Sequence, residues 1–356
     1  MQPSPRPVRG RGSTGNPKNR FEAVELVPEP PEESDAVSSP QTEFFADASK
    51  SIIAYNDSPD VGFDASVNPY RGCEHGCVYC YARPTHEYLG FSSGLDFETK
   101  IMVKADAPQL LKQELSRPSW KPQILAMSGV TDCYQPAEKK LQLTRRCLEA
   151  LLEFRNPVVI ITKNYLVTRD VDVLQELARY RCVSVSVSLT TLDPSLSAVM
   201  EPRASRPARR LAAITRLAEA GIPVGYLQAP MIPGLTDSEA PAIAQAAARA
   251  GAAFASYVAL RLPFAVKSLF EDWLQQHFPQ RKEKVLNRIR ALRGGKLNDP
   301  NFSTRMRGEG IFAQQMADLF ELACKKAGIA NHRPELTTEH FRRAGTRQLS
   351  LFEAHH

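Results

Sequence analysis

From residue 66 onward the chain alternates between two hydrophobic rhythms. Short runs rich in β-branched and small residues at 66–70, 123–129, 158–162, 182–189, 223–230 and 254–260 read as strands. Between them, apolar residues recur every three or four positions across 107–117, 136–155, 170–180, 207–220 and 238–250, the spacing of amphipathic helices. Asp106 stands where an N-cap belongs, and Leu141, Leu148, Leu151 and Leu152 mark the buried face of the second helical run. Gly221 and Gly251 fall just past helix ends, where the backbone turns left-handed. Six strands alternating with five helices predict an α/β fold with a parallel sheet and right-handed crossovers. A curved partial (β/α)6 barrel fits this pattern best, and a flat doubly wound sheet shares it.

The run Val183-Ser184-Val185-Ser186-Val187-Ser188 puts valines on one face of a strand and serines on the other. A strand buried between apolar layers is apolar throughout, so the serines predict a polar lumen; a strand with one face in solvent gives the same alternation. Beyond the barrel, helical runs at 266–277, 281–293 and 311–327 predict a C-terminal helical extension. The loop before the last of these holds Arg305, Arg307, Gly308 and Gly310. The organisation expected is a largely disordered arm over 1–60, the barrel over 61–262, the extension over 263–335 and a flexible tail over 336–356. The arm carries nine of the 27 prolines, an Arg-rich start (Arg6, Arg9, Arg11) and an acidic stretch at 29–35.

With 356 residues, 43% of them hydrophobic and 24% charged, the chain can build one large core. Its 45 basic and 39 acidic residues give a net charge of +6, which permits a nucleic-acid partner without demanding one. No apolar run approaches the ~18 residues that a bilayer span needs. No membrane partner is expected, and the expected location is the cytoplasm.

The sharpest chemical signal is Cys73-Glu74-His75-Gly76-Cys77-Val78-Tyr79-Cys80. The C-x3-C-x2-C spacing gathers three thiolates in one small loop. A structural zinc site takes four ligands and would have to recruit His75 or Cys133. Cys77 and Cys80 alone would make a redox dithiol, but such motifs open the helix of a thioredoxin-like unit, which is missing from the pattern. Seven cysteines without a secretion signal argue against disulfides. Three thiolates suit a [4Fe–4S] cube with one iron left open to a cofactor or substrate, and Tyr79 sets an aromatic ring beside that iron.

Together with Asn68–His86, the runs Thr131-Asp132, Ile161-Thr162-Lys163, Ser188 to Glu201-Pro202 and Ala229-Pro230 resemble the spore photoproduct lyase-like branch of the radical S-adenosylmethionine (SAM) superfamily. Arg83-Pro84-Thr85-His86, Leu95-Asp96-Phe97-Glu98 and Arg261-Leu262-Pro263 are similar to a bacterial subgroup of that branch whose reaction is unassigned. The resemblance spans roughly residues 16–330. It implies a radical SAM partial barrel, a [4Fe–4S] cluster on Cys73, Cys77 and Cys80, SAM as second cofactor, and an electron donor of flavodoxin or ferredoxin type. In that family the reduced cluster cleaves SAM, and the resulting 5′-deoxyadenosyl radical takes a hydrogen atom from substrate. The resemblance places Thr131 and Lys163 at the methionine moiety of SAM and Ser188 at its ribose. It sets Tyr79 against the adenine, with Asp132 and Glu201 holding the ammonium or organising Lys163. Photoproduct lyases carry a hydrogen-donating cysteine two residues before the position of Thr131, where this chain has Gly129, which argues against thymine-dimer reversal. Cys133 is the nearest substitute.

Near the C-terminus, Gln348-Leu349-Ser350-Leu351-Phe352 resembles the peptide by which bacterial replication and repair proteins dock on the DNA sliding clamp: a polar anchor followed by a Leu-Phe pair for an apolar pocket. The reading that unites these features is a radical SAM enzyme acting on nucleic acid, in repair or base modification. The same chemistry on a peptide or small metabolite, and a non-catalytic metal-binding scaffold on the clamp, are the alternatives.

Overall fold

The structure of the protein, a computed structural model, describes residues 8–22 and 40–343. The strands in chain order are β1 (Glu43–Ala46), β2 (Ile53–Tyr55), β3 (Ala65–Val67), β4 (Tyr70–Arg71), β5 (Lys100–Val103), β6 (Leu125–Met127), β7 (Val158–Thr162), β8 (Val183–Ser188), β9 (Val224–Met231) and β10 (Phe254–Ala259). The helices are α1 (Leu95–Thr99), α2 (Ala107–Ser116), α3 (Glu138–Leu141), α4 (Leu143–Phe154), α5 (Val171–Arg179), α6 (Pro194–Met200), α7 (Pro207–Glu219), α8 (Ala240–Arg249), α9 (Val266–His277), α10 (Lys282–Leu292) and α11 (Gly310–Ala327).

Strands β3, β6, β7, β8, β9 and β10 pair in parallel and in chain order, with β2 antiparallel at the β3 edge. A doubly wound sheet reverses its strand order at a switch point; this one does not, and the architecture is the partial (β/α)6 barrel. A second, three-stranded sheet, β1-β5-β4, stands beside it. The valines of β8 belong to the main core, as do Leu111 and Leu115 of α2, Leu148 and Leu151 of α4, Leu174 and Leu177 of α5, and Ile214 and Leu217 of α7. Ser184 and Ser188, on the other face of β8, are shielded from solvent as well, so the serine face lines the interior of the barrel.

Three expectations change. The helical run 136–155 is two helices: Gln142 adopts a left-handed backbone (φ 51°), and the Glu138 carboxylate accepts hydrogen bonds from the amides of Thr144 (3.0 Å) and Arg145 (3.3 Å), so the first helix caps the second. Within 1–60, residues 8–22 and 40–60 are packed rather than disordered. The amides of Gly12 and Ser13 donate to the buried Glu98 carboxylate at 3.0 and 2.9 Å, and β1 pairs with β5 in register. These backbone partners fix the arm despite its composition. Likewise residues 336–343, expected in a flexible tail, are bound along one end of the barrel.

The approach to it begins where Ala330 bridges Phe254 at the start of β10. It continues with the Thr337 amide on the Arg181 carbonyl ahead of β8 (3.1 Å) and the Arg342 amide on the Phe154 carbonyl ahead of β7 (2.9 Å). It ends with Arg343 donating to the carbonyls of Pro118 and Trp120 ahead of β6. Phe341 packs on Phe154, ring centroids 6.3 Å apart. The chain thus crosses the N-terminal ends of four strands. The clamp-like peptide, Gln348 to Phe352, lies outside the described residues.

Candidate active site

The cysteine loop springs from the end of β4, at the C-terminal end of the first parallel strand. Gly72 and Gly76 turn it with left-handed backbones (φ 78° and 65°), and a side chain on Gly76 would meet Glu98 Oε2 at 2.6 Å. The loop backbone is tied down on several sides. Cys73 N donates to Phe97 O (2.9 Å), Val78 N to Met200 O (3.1 Å), and Arg203 N to His75 O (3.2 Å). Beneath it the Arg83 guanidinium forms a fully buried ion pair with Glu98 at 2.5 Å and donates to the Cys77 carbonyl at 3.0 Å. Arg83 and Glu98, from two of the runs that carried the subgroup resemblance, therefore brace this loop from beneath.

All three thiols are free; Cys73 and Cys77 are buried and Cys80 is partly so. Burial pushes all three thiols up, and the neighbouring cysteines add to the effect at Cys73 and Cys77; Cys77 reaches about 12 although Lys163 and Arg210 pull it down. Three thiols close enough to disfavour one another's charge, with Lys163 and Arg83 or Arg210 at hand, fit a group that supplies compensating positive charge. Among the described residues no three His, Cys, Asp or Glu side chains converge as they would on a single ion; thiolates that each bind a different iron of a cluster stand further apart. The donor set fits the cluster implied by the motif.

The predicted rim residues gather around this loop at the C-terminal ends of the strands. Asp132 follows β6 and binds the end of β7: its carboxylate accepts from the Lys163 amide (2.8 Å) and from Thr162 Oγ1 (2.8 Å), and lies 3.3 Å from His75 Nδ1. Burial would raise its pKa, but His75 and the amides of Lys163 and Tyr134 hold it at about 2. Thr131 is engaged within the protein, donating to the Gly72 carbonyl at 2.6 Å and accepting from Gln135. Lys163 Nζ reaches the Ala229 carbonyl at 3.2 Å and lies 5.8 Å from the Tyr79 ring centroid; among the described residues no carboxylate pairs with it. Ser188 ends β8 with a buried hydroxyl that has no hydrogen-bond partner.

Glu201 is the hub of the opposite wall. It accepts from Tyr79 Oη, from Thr190 Oγ1 (2.9 Å) and from Arg210, with which it forms an ion pair buried on both sides. Burial opposes its charge, yet Arg210 and Lys163 hold it at about 2. Arg203, two residues further on, pairs with Glu74 at 2.9 Å. Cys133 is fully buried in the main core, and burial holds its thiol well up. Gly129 faces Ser66, whose Cβ would stand 3.3 Å from a side chain placed there.

Gln135, Thr190 and Arg210 form part of the site without having been singled out in the sequence, and His75 was named there only as a ligand that a zinc site would recruit. Gln135 accepts from the Glu74 amide at 2.9 Å and donates to Gly72 O, bracing the loop. No periodicity or motif marks Gln135, Thr190 or Arg210. A second apolar cluster closes the region: Val78 and Tyr79 pack with Leu260, Leu262, Phe270 and Trp273, so the helical extension shields the loop from water.

Residues 67–247, about half of the chain, match the radical SAM superfamily, and the chain belongs to it. It is an enzyme of that class, whose chemistry implies a [4Fe–4S] cluster, SAM and a source of reducing electrons. An uncharacterized protein of Mycobacterium tuberculosis is 38% identical over 248 residues, 69% of this chain and 72% of that protein. An uncharacterized protein of Methanocaldococcus jannaschii is 27% identical over 222 residues, 62% of this chain and 79% of that one. Among solved structures, spore photoproduct lyase complexed with dinucleoside spore photoproduct superposes with a TM-score of 0.59 at 15% identity, over 81% of this chain and 80% of that one. The fold is shared.

Proposed function

We propose that Cys73, Cys77 and Cys80 hold the [4Fe–4S] cluster, that SAM lies against Tyr79, Lys163 and Ser188, and that the enzyme abstracts hydrogen from a nucleic acid. The observation that carries the cofactor site is the pair of unspent groups at the strand ends: the Lys163 ammonium, bonded only to a carbonyl, and the partnerless Ser188 hydroxyl. A lysine suits the methionine carboxylate and a serine the ribose hydroxyls. When bound, the cluster supplies the electron that cleaves SAM and so generates the hydrogen-abstracting radical; a flavodoxin- or ferredoxin-type donor provides that electron.

The chain's own residues then have distinct tasks. Asp132 and His75 lock the cysteine loop to the end of β7 and so fix Lys163 relative to the thiols. Glu201, neutralised by Arg210, anchors the Tyr79 hydroxyl and holds its ring in place. Thr131, which the resemblance places at the methionine moiety of SAM, also braces the loop through Gly72. Gly129 stands where a hydrogen-donating cysteine would be, and a Cβ there would crowd Ser66 at 3.3 Å, which fits a reaction other than thymine-dimer reversal.

The nucleic-acid substrate is supported by the fold shared with a lyase that binds a dinucleoside and by the excess of basic residues. The peptide Gln348, Leu349, Leu351, Phe352 adds a docking partner, the sliding clamp, proposed from sequence. Anaerobic incubation with SAM, reductant and oligonucleotides tests the reading. Oligonucleotide-dependent 5′-deoxyadenosine and deuterium transfer are expected. Turnover stimulated by peptides or metabolites and indifferent to nucleic acid would overturn it.

A further inference from the structure

Exposed aromatic rings and arginines alternate along one continuous edge beside the mouth of the barrel. Tyr88 is 72% exposed and stacks on Phe21, 55% exposed, with centroids 4.8 Å apart. The Arg20 guanidinium lies 5.0 Å from the Phe21 ring and 3.6 Å from the ring of Phe264. Phe264 is 55% exposed and has a left-handed backbone (φ 50°), a conformation that a bulky residue rarely adopts. Three residues earlier, Arg261 faces the ring of Tyr81 at 5.4 Å, and the Tyr81 hydroxyl donates to the Gly129 carbonyl at 2.7 Å. The series therefore runs from the outer surface to the strand ends that hold the candidate site.

The charges along it are unequal. Arg20 pairs with Glu87, and Arg305 with Asp60. Arg261 has no ion pair among the described residues, although the Asp60 carboxylate that Arg305 holds is near enough to favour its charge; its Nε is buried without a hydrogen-bond partner, and one terminal nitrogen meets Met306 Sδ at 3.4 Å. A half-buried guanidinium with a donor to spare suits a phosphate or carboxylate oxygen. Rings open to solvent beside such a cation accept the faces of bases that are not stacked on one another, which a duplex does not offer.

We propose that this edge binds an unpaired nucleic-acid strand, with Arg261 seating a phosphate and the open faces of Phe264 and Tyr88 stacking bases. The proposal rests on the nucleic-acid reading above and names its substrate form. An enzyme that reacts at a base needs that base out of the stack, and this edge would deliver a strand already unstacked to the mouth that Tyr81 overhangs.

The test is fluorescence anisotropy on the full-length, anaerobically reconstituted protein with a labelled single-stranded DNA 12-mer, the matching RNA and the DNA duplex. The single strand is expected to bind at least tenfold more tightly than the duplex, and the DNA and RNA arms show which backbone is preferred. Phe264→Ala and Tyr88→Ala should each weaken it by about tenfold, the scale of one lost stacking contact, while Phe264→Tyr should restore binding. Arg261→Gln should reduce the slope of log affinity against log salt by about 0.7, one phosphate contact on a single strand. Variants are compared at matched iron content and melting temperature. Tight binding by the wild type with unchanged variants would overturn this edge as the site and leave the nucleic-acid reading standing. A wild type that binds no oligonucleotide would overturn both. Equal displacement of the strand by polyglutamate would reassign the edge to acidic peptides and overturn the proposal.

Discussion

A side chain on Gly12 would place its Cβ 1.7 Å from the carbonyl oxygen of Gly76, so the N-terminal arm and the cysteine loop meet backbone to backbone. Glu98 closes this contact, accepting from Gly12 and Ser13 on one side and from Arg83 on the other. Gly12→Ala is therefore expected to displace the arm at a cost of about 1–3 kcal/mol, the scale of overpacking a tight site. Denaturant unfolding measures the loss, and iron release to a chelator should accelerate alongside it. Unchanged iron release would mean that the arm and the loop are independent.

Each of Cys73→Ala, Cys77→Ala and Cys80→Ala should leave protein that retains little iron or sulfide after anaerobic reconstitution and forms no 5′-deoxyadenosine. The wild type should hold about four irons with matching sulfide, the content of one cube. Stoichiometric zinc without sulfide in the wild type would contradict the cluster.

Lys163→Ala should weaken SAM binding by about 1.5–3 kcal/mol, the worth of a hydrogen bond to a charged group, with the cluster intact. Ser188→Ala should behave differently. Its hydroxyl is buried and partnerless in the free protein, so removing it should cost no stability and leave only a SAM affinity loss of roughly 0.5–1.5 kcal/mol. Calorimetric titration with SAM and melting curves separate the two effects.

His86 sits wholly buried against Phe91 and Phe97. Burial lowers its pKa from 6.5 to about 4, and Asp96 and the backbone of Lys100 offset only part of this. Below pH 6.5 the unfolded chain binds a proton that the folded one refuses until about pH 4. Stability present above pH 6.5 is thus lost as pH falls towards 4, by about 3 kcal/mol in full. His86→Phe should remove that share of the acid sensitivity; parallel slopes of unfolding free energy against pH for both proteins would refute it.

A peptide spanning residues 345–354 should bind a bacterial sliding clamp with micromolar affinity, about −8 kcal/mol, and Phe352→Ala should remove most of it. Deleting residues 346–356 should leave SAM cleavage intact. A clamp that ignores both the peptide and the full chain ends this idea.

The elements that the sequence displayed were those with a local period. β7 appears at 158–162 as the apolar run predicted, and the Val-Ser alternation of β8 divides core from lumen. The strands β1, β4 and β5 were not legible: each is four residues or fewer and gains its identity from pairing partners far along the chain. The site divides in the same way. Cys73, Cys77, Cys80, Lys163 and Ser188 could be placed because motif spacing and strand ends mark them. Glu201 with Arg210, Asp132 with His75, and Glu98 with Gly12 are contacts made only by folding, and nothing periodic links their positions.

The last described residues, crossing beneath β10, β8, β7 and β6, bring the chain to the end of the barrel opposite the candidate site. Arg343 lies at the strand starts, beside the carbonyls of Pro118 and Trp120, whereas the cysteines and Lys163 lie at the strand ends. The proposed clamp peptide thus follows a point of the chain at the rear of the barrel. On the clamp proposal, the mouth would then face away from the point of attachment.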